Sequence, residues 1–402
     1  MSADPHQTTV LCLASDVKGH AFIRECHRLG CRVLLVTRQM HRDGDWPREA
    51  IAETYYMDSL LQRDDLVKGV SWLARTETID RIVALDDFDV EQAALLREHL
   101  RVPGMGDTTA RYFRDKLAMR VRAREAGILV PEFVHALNDR AIARFVERVP
   151  PPWALKPRSE GSAAGIKKIG SAAELWQRLE ELGDRRSFHL VEQFVPGDVY
   201  HVDALVSESE VPFVVASRYG KPPFDVMHAG GLFVTRTLPD DTEEAREAIA
   251  GTRAVVGALG LVRGVTHTEF IRGREDGRVY FLETAARVGG AHIAEVVEAA
   301  TGVSLWAEWA RIEVGGGKVP YEPPPRRHDT AGIVLSLARQ EWPDTSAYDD
   351  PEVVWRLRRP NHAGLIVRSG DPARVDRLLE SYGRRFYDDF HAAAPGLARV
   401  DR

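Results

Sequence analysis

The chain has 402 residues, of which 54 are basic and 60 are acidic, so its formal net charge is −6. This length predicts two or three domains around a large hydrophobic core. The acidic balance excludes a protein built mainly to hold nucleic acid, and no apolar run reaches the roughly 18 residues of a membrane span. Three cysteines without metal-ligand spacing, Cys12, Cys26 and Cys31, favour a reduced, cytoplasmic protein.

The first region, residues 1–107, alternates short apolar runs with helical patterns. The expected strands are 8–15, 32–37 and 81–85, and the expected helices are 20–29 and 66–75. Strands that alternate with helices predict a doubly wound parallel sheet, with ligands at the carboxyl ends of the strands. Those ends lie near Ser15, Asp16, Asp86 and Asp87. A G-x-G-x-x-G fingerprint does not follow the first strand, which argues against a dinucleotide site.

The second region, residues 108–315, is predicted to be α+β with a mainly antiparallel sheet. The expected helices are 109–127 and 242–259. The expected strands are 153–156, 165–169, 189–194, 199–206, 211–218, 265–272 and 279–287. The third region, residues 316–402, begins with a Pro-rich connector. Its expected elements are strands at 330–337 and 363–368 and a helix at 372–386.

Three segments of the second region carry side chains suited to binding a nucleotide. Lys116 lies inside the predicted helix 109–127. Lys156 ends a strand and precedes a loop of small residues, which let backbone N–H groups approach phosphate oxygens. A later strand carries Glu192 and Gln193 before a Pro-Gly turn. Each segment alone also fits an ordinary helix face, hairpin loop or strand end.

A hairpin near the end of the second region brings two glutamates together. A three-residue loop that ends on a left-handed Gly277 pairs Arg274 with Arg278. The same register places Glu269 directly opposite Glu283, with Cβ atoms about 4.5–5.5 Å apart. Like charges at that distance require a cation between them, and Mg²⁺ bound to carboxylates and nucleotide phosphates would serve. A two-residue loop would put the glutamates on opposite faces, so the metal site predicts an odd loop.

In this order, the four motifs resemble those of the ATP-grasp superfamily, whose three-domain arrangement matches the partition into 1–107, 108–315 and 316–402. The resemblance implies that Lys116 and Lys156 contact ATP phosphates, and that Glu269 and Glu283 bind Mg²⁺ or Mn²⁺. It assigns Arg287, with Lys156, to catalysis at the transferred phosphate. The implied nucleotide subdomain is about 150–205. Its further ATP contacts are Ser159, Gly161, Ser162 and Gly165 in the phosphate loop, Glu192, Gln193, Phe194 and Val195 in the adenine hinge, and Asp198 at the ribose.

Two positions depart from the superfamily pattern. The ending Glu-x-Asn-x-Arg appears here as Glu283 to Arg287 with Ala285 in place of the asparagine that assists in metal binding. One or two metal ions are therefore both consistent with the sequence. Branches that ligate free amino acids share this Glu-x-Ala-Ala-Arg ending. Val199 stands where a ribose-binding carboxylate often follows the glycine, and Asp198 substitutes for it from the adjacent position.

The resemblance implies an ADP-forming carboxylate–amine ligase that joins small molecules, above all amino acids, through an acyl phosphate. The alternatives are a biotin-carboxylase-like or purine-biosynthesis-like ATP-grasp enzyme and a non-catalytic ATP-binding regulatory protein. The implied partners are small carboxylates and amines, and a homodimer is the default assembly. For His228, His267 and His292 the alternative is a structural histidine. The candidate substrate contacts are His228, Gly230, Gly231, His267, Arg287, Gly289 and Gly290.

Overall fold

The computed structural model describes residues 7–161, 164–229, 231–318 and 320–392. Its first strands are β1 (Thr9–Ala14), β2 (Arg32–Arg38), β3 (Glu53–Met57) and β4 (Arg81–Ala84). Its first helices are α1 (His20–Arg28), α2 (Arg63–Leu73) and α3 (Val90–Leu100). The four strands form a parallel sheet in the order β3-β2-β1-β4, which confirms the predicted parallel sheet.

Strand β1 lies inside this sheet and is buried along its whole length. Its side chains enter two hydrophobic clusters, one with α1 and one with α2 and α3. A continuous apolar run is what a parallel strand covered on both faces requires. Helix α3 and strand β3 are not predicted from the sequence. Strand β3 lies at the sheet edge, where its residues are exposed or only partly buried.

The predicted helix 109–127 is wrong, because the chain forms two helices, α4 (Asp107–Arg111) and α5 (Lys116–Glu125). Asp115 between them is extended, and its Oδ1 accepts hydrogen bonds from the backbone N–H groups of Leu117 (2.9 Å) and Ala118 (3.4 Å). An aspartate in this position caps a helix N-terminus. Lys116 is therefore the first residue of α5 rather than a residue in the middle of a longer helix.

A small antiparallel sheet follows, in the order β5-β8-β6-β7. Helices α6 and α7 cover it through a hydrophobic cluster of their own, although the sequence analysis predicts neither helix. The elements are β5 (Phe133–His135), α6 (Asp139–Arg148), β6 (Trp153–Pro157), β7 (Lys167–Ile169), α7 (Ala172–Leu182) and β8 (His189–Gln193).

The largest layer is an eight-stranded antiparallel sheet. Its strands are β9 (Gly197–Ser207), β10 (Glu210–Tyr219), β11 (Phe233–Thr237), β12 (Gly264–Gly273), β13 (Val279–Ala285), β14 (Thr330–Leu337), β15 (Val353–Arg356) and β16 (His362–Ser369). The remaining helices are α8 (Pro223–Ala229), α9 (Glu243–Leu259), α10 (Ile293–Thr301), α11 (Leu305–Gly315) and α12 (Pro372–Asp389). The strand order is β13-β12-β9-β10-β11-β14-β16-β15.

The combination of a parallel sheet and two antiparallel sheets confirms the predicted fold class. The eight-stranded sheet continues past residue 315, since β14 pairs with β11. The domain ranges 1–107, 108–315 and 316–402 stay a prediction. In the described part of the chain, none of the helices has the length and apolar character needed to cross a bilayer.

Candidate active site

Glu269 on β12 and Glu283 on β13 are direct partners in the sheet, which confirms their predicted pairing. The predicted loop is wrong, because Gly273 rather than Arg274 faces Arg278 and donates its backbone N–H to the carbonyl of Arg278 (2.8 Å). The connection is one residue longer than the three residues that the sequence analysis predicts.

A bulge explains how the wrong loop still gives the right pair of glutamates. Near the loop Phe270 pairs with Phe281, one residue out of the predicted register, and the register shifts between Glu269 and Phe270. Leu282 is the extra residue on β13, and it returns Glu283 to its place opposite Glu269. Gly277 has a φ of +67°, the left-handed conformation that the sequence predicts.

Lys116 supplies a cation beside the pair of glutamates. Its Nζ lies 2.8 Å from Glu283 Oε2 and also donates to the backbone carbonyl of Glu160 in the phosphate loop. Burial alone would raise the pKa of Glu283, but Lys116, with Lys156 and Arg120 adding to its effect, lowers it to about 2. Glu283 is therefore ionised and ready to bind a cation at neutral pH.

Lys156 and Arg120 hold Glu192 between them. Arg120 donates from Nε to Glu192 Oε2 (2.6 Å), and Lys156 donates to Oε1. Arg120 and Glu192 are each 1% exposed. Burial raises the pKa of Glu192, and the two cations outweigh that effect, so its pKa lies below its usual range. The predicted adenine contact of Glu192 stays a prediction, since both of its side-chain oxygens are already bound.

Arg120 is not predicted from the sequence, although its spacing from Lys116 could have indicated it. Lys116 and Arg120 are four residues apart, so both side chains project from one face of α5 toward the small sheet and the hairpin. An i, i+4 pair of buried cations on one helix is unusual, because buried charges need partners. Here the partners are Glu283 on the eight-stranded sheet and Glu192 on the small antiparallel sheet. The space between these two sheets is called the cleft.

The phosphate loop is tied to the rest of the site through its backbone. Ser159 accepts a hydrogen bond from Arg114 Nη2 at its carbonyl oxygen (2.7 Å). Gly165 has a φ of +71°, and a Cβ there would lie 2.9 Å from Pro157, so the loop requires glycine at this position. Gly161 belongs to the same loop, and Ser162 lies outside the described residues.

Phe194, Val195 and the end of β8 form the connection to the eight-stranded sheet. Phe194 packs edge-on against Phe224, with ring centroids 5.7 Å apart, and Lys168 Nζ lies 4.3 Å from its ring centre. Gln193, at the end of β8, is bound by its backbone N–H to the Glu132 carbonyl (2.7 Å). This aromatic segment is the predicted adenine hinge.

Asp198 lies at the start of β9 and pairs with Arg218 (2.8 Å) on the exposed edge of the hinge. Gly197 before it packs so closely on the Arg272 carbonyl that a Cβ would come within 2.1 Å of that oxygen. The chain therefore turns from the hinge into the large sheet at a point that only glycine allows. The ribose contact of Asp198 stays a prediction.

Arg287 connects the site to the N-terminal sheet. Its Nε lies 3.7 Å from Asp87 Oδ1, and Asp87 forms an ion pair with Arg114 through its other oxygen. Asp87 follows β4, so it lies at the carboxyl end of the parallel sheet. The structure thus brings this edge of the sheet next to Arg287, as expected for an α/β ligand site.

The predicted substrate residues fall into two groups. Gly289 packs against a buried pair, Asp203 and His267, and a Cβ at Gly289 would lie 2.8 Å from Asp203 Oδ1. Gly290 accepts the backbone N–H of Ile293 at the start of α10. His292 precedes that helix, with its Nδ1 3.4 Å from Glu295 and its ring centre 4.8 Å from that of Trp355, which fits a structural role.

The second group lies at the end of α8 and just after it in the sequence. Gly231, with a φ of +146°, precedes β11. Gly230 and the side chain of His228 lie outside the described part of the chain. The substrate assignments of His228, Gly230 and Gly231 stay predictions.

His267 is buried beside Glu269, with Nε2 3.6 Å from Glu269 Oε1 and Nδ1 2.9 Å from Asp203 Oδ1. Burial alone would lower the pKa of His267, but Asp203, with Glu269 adding to its effect, raises it to about 9. Burial keeps the pKa of the adjacent His201 below its usual value. His201 and Asp203 belong to none of the motifs found in the sequence.

Comparison with known proteins finds similarity to ligases. No family model matches the chain. An L-arginine-specific L-amino acid ligase from Bacillus subtilis is 26% identical over 242 residues, which are 58% of this chain and 58% of that protein. A D-alanine–D-alanine ligase from Neisseria gonorrhoeae is 25% identical over 213 residues, which are 52% of this chain and 70% of that protein. The chain thus aligns with less than two thirds of the first of these relatives.

Solved structures match nearly the whole chain in fold. The L-amino acid ligase from Bacillus licheniformis superposes with a TM-score of 0.73 at 20% identity, covering 96% of this chain and 99% of that one. N5-carboxyaminoimidazole ribonucleotide synthetase from Thermus thermophilus superposes with a TM-score of 0.72 at 16% identity, covering 96% and 99%. The fold and the sequence relatives together identify the chain as a relative of the ATP-grasp ligases, the superfamily that its four ordered motifs predict.

Proposed function

We propose that the protein is an ATP-dependent carboxylate–amine ligase that joins two amino acids through an acyl phosphate and releases ADP and phosphate. The observation that carries this proposal is the pair Glu269 and Glu283, which face each other beside Lys116 in a fold shared with amino acid ligases. Lys156 on β6 and Arg287, two residues after the end of β13, add two further cations. Such a set of charges suits the transfer of a phosphoryl group.

The two glutamates fit a hard divalent cation. Carboxylate oxygens are the ligands that Mg²⁺ and Mn²⁺ prefer, and Glu283 is ionised and already pairs with an ammonium group. Ala285 lies opposite His267 and supplies no ligand. When bound, Mg²⁺ would neutralise charge on the nucleotide phosphates and on the transferred group.

The chain's own residues would then bind and orient the reactants. Lys116, Lys156 and Arg287 would stabilise the negative charge that develops during transfer. The phosphate loop would cover the phosphates, and the hinge would hold adenine. Asp198 would contact the ribose. The carboxylate and amine substrates would lie beside Arg287 and Gly289, where the cleft meets the N-terminal sheet.

The reaction has two steps that balance without any redox partner. A carboxylate oxygen of the first substrate attacks the γ-phosphorus, and the bond between that phosphorus and ADP breaks. The amine nitrogen of the second substrate then attacks the acyl carbon. A C–N bond forms, phosphate leaves with the former carboxylate oxygen, and the nitrogen loses a proton. Closure over the acyl phosphate would exclude water and prevent its hydrolysis.

The cellular setting belongs to the same proposal. Buried cysteines and small-molecule partners fit a cytoplasmic enzyme. We expect a homodimer, since two-fold dimers are the commonest assembly of soluble proteins. Light scattering of the purified protein measures its molecular mass in solution. A monomer at micromolar concentration would contradict the expected dimer.

A screen for ADP release tests the function. The protein is incubated with ATP, Mg²⁺ and pairs of amino acids, and ADP, phosphate and the dipeptide are measured, with EDTA as the control. We expect ADP and phosphate in equal amounts only when both substrates and the metal are present. AMP and pyrophosphate would contradict the mechanism. ADP release that depends on bicarbonate or on a ribonucleotide would instead favour an ATP-grasp enzyme of another type.

A further inference from the structure

A network of hydrogen-bonded, buried polar side chains crosses four strands of the eight-stranded sheet and ends at Glu269. The network is continuous because residues two apart on one strand share a face, and direct partners on neighbouring strands are close. Its members, each at most 7% exposed, are His201 and Asp203 on β9, Tyr219 on β10, Thr235 on β11 and His267 on β12.

Asp203 is the centre of this network. Its two carboxylate oxygens are bound by different histidines, Oδ2 by Nδ1 of His201 (2.8 Å) and Oδ1 by Nδ1 of His267 (2.9 Å). The second nitrogen of His201 lies 2.7 Å from Thr235 Oγ1. His201 is therefore held at both ring nitrogens, and His267 is held at Nδ1, which sets the direction of its Nε2.

Tyr219 connects this network to Glu269. Its hydroxyl lies 3.4 Å from His267 Nε2 and donates to Glu269 Oε1 (2.8 Å). His267 Nε2 also lies 3.6 Å from the same oxygen. Both contacts fall on Oε1, and no hydrogen bond from the described residues reaches the second oxygen of Glu269, which leaves that oxygen to a cation.

Stability alone does not account for such an arrangement. Replacing buried ionic groups by apolar side chains of similar size is often neutral or stabilising, because desolvation offsets the attraction between the charges. Side chains around metal ligands have a different effect, since their hydrogen bonds orient the ligands. Their removal typically lowers metal affinity or activity by about 10-fold to 100-fold.

We propose that Tyr219, held in place by Asp203 and His267, positions Glu269 so that one of its oxygens faces the metal. Tyr219, His267 and Asp203 are positioning residues in this role. The inference rests on the proposed function only in taking Glu269 as a metal ligand. It requires neither a particular amino acid substrate nor turnover.

Binding of Mn²⁺ tests the inference without turnover. The full-length protein with saturating ADP is titrated with Mn²⁺, and bound metal is followed by its EPR signal. Tyr219→Phe should weaken Mn²⁺ binding about 10-fold to 100-fold, whereas ADP affinity in EDTA stays within about twofold of wild type. Tyr321→Phe is the matched control, since it removes a hydroxyl that donates to Glu308 (2.6 Å) outside the site.

A folded Tyr219→Phe protein that binds Mn²⁺ as tightly as Tyr321→Phe would overturn the inference. Asp203→Asn should weaken Mn²⁺ in the same direction, and normal metal affinity in this variant would remove Asp203 from the positioning role. A wild-type protein that binds ADP but no Mn²⁺ would also overturn it. Tight Mn²⁺ binding in a wild-type protein that forms no dipeptide would refute the proposed function and leave this inference intact.

Discussion

The ion triad of Glu192, Arg120 and Lys156 gives a prediction whose magnitude follows from burial. Glu192→Gln keeps the size of the side chain but removes its charge. Arg120, which is 1% exposed, then loses its carboxylate partner, and its Nη1 already lacks a hydrogen bond among the described residues. Lys156 loses its partner as well. The variant would therefore leave both cations without the carboxylate that binds them directly.

Removing one partner of a buried ion pair costs about 3–5 kcal/mol, because the remaining charge is desolvated and unpaired. That amount is a large fraction of a typical free energy of unfolding of about 5–15 kcal/mol. The pKa of Glu192 lies below its usual range, so its contribution is present above the unfolded pKa of about 4.3 and is lost as the pH falls through the folded pKa. The difference between variant and wild type should therefore shrink in acid.

Urea unfolding at pH 7 measures this effect. Glu181→Gln is the matched control, because it removes the same charge from an exposed pair with Arg178 (2.8 Å). We expect the control to unfold like wild type and Glu192→Gln to unfold at a much lower urea concentration. A Glu192→Gln protein as stable as the control would refute the view that Arg120 and Lys156 depend on this carboxylate.

Three further predictions concern the site and the N-terminal sheet. Glu283→Gln should lower ADP release by at least about 100-fold in a protein that keeps its fold, and wild-type ADP release would remove its metal role. Lys156→Arg should lower kcat about tenfold or more, because a planar guanidinium does not replace a compact ammonium, and full activity would contradict this reading. Burial raises the pKa of Asp89 to about 7, so the folded protein binds this proton more tightly than the unfolded chain. Wild type should then lose up to about 1.4 kcal/mol of stability per pH unit between pH 4 and 7 relative to Asp89→Asn, and parallel pH profiles in urea unfolding would contradict the shift.

The sequence predicts the parallel sheet because its strands are short apolar runs buried on both faces, as in β1. It predicts the opposed glutamates because strand pairing follows from a short loop. The loop itself is one residue longer, and only the bulge at Leu282 restores the pair. A bulge depends on the packing of both strands and has no signal in the hairpin sequence.

Other features escape prediction because their partners are far apart in sequence. Asp203 and His267 are 64 residues apart and meet only when β9 and β12 pair. The break before Lys116 was readable, since Asp115 is a good helix cap, but its charged neighbours resemble a continuous helix face. The buried role of Glu192 depends equally on Arg120, which comes from a different element.

Transfer of oxygen from substrate to phosphate tests the proposed chemistry most directly. The carboxylate substrate is labelled with ¹⁸O in both oxygens, and the phosphate released with ADP is analysed by mass spectrometry. An acyl phosphate intermediate predicts one ¹⁸O atom in each phosphate and one in each new amide. Unlabelled phosphate, or label found in AMP, would contradict ligation through an acyl phosphate.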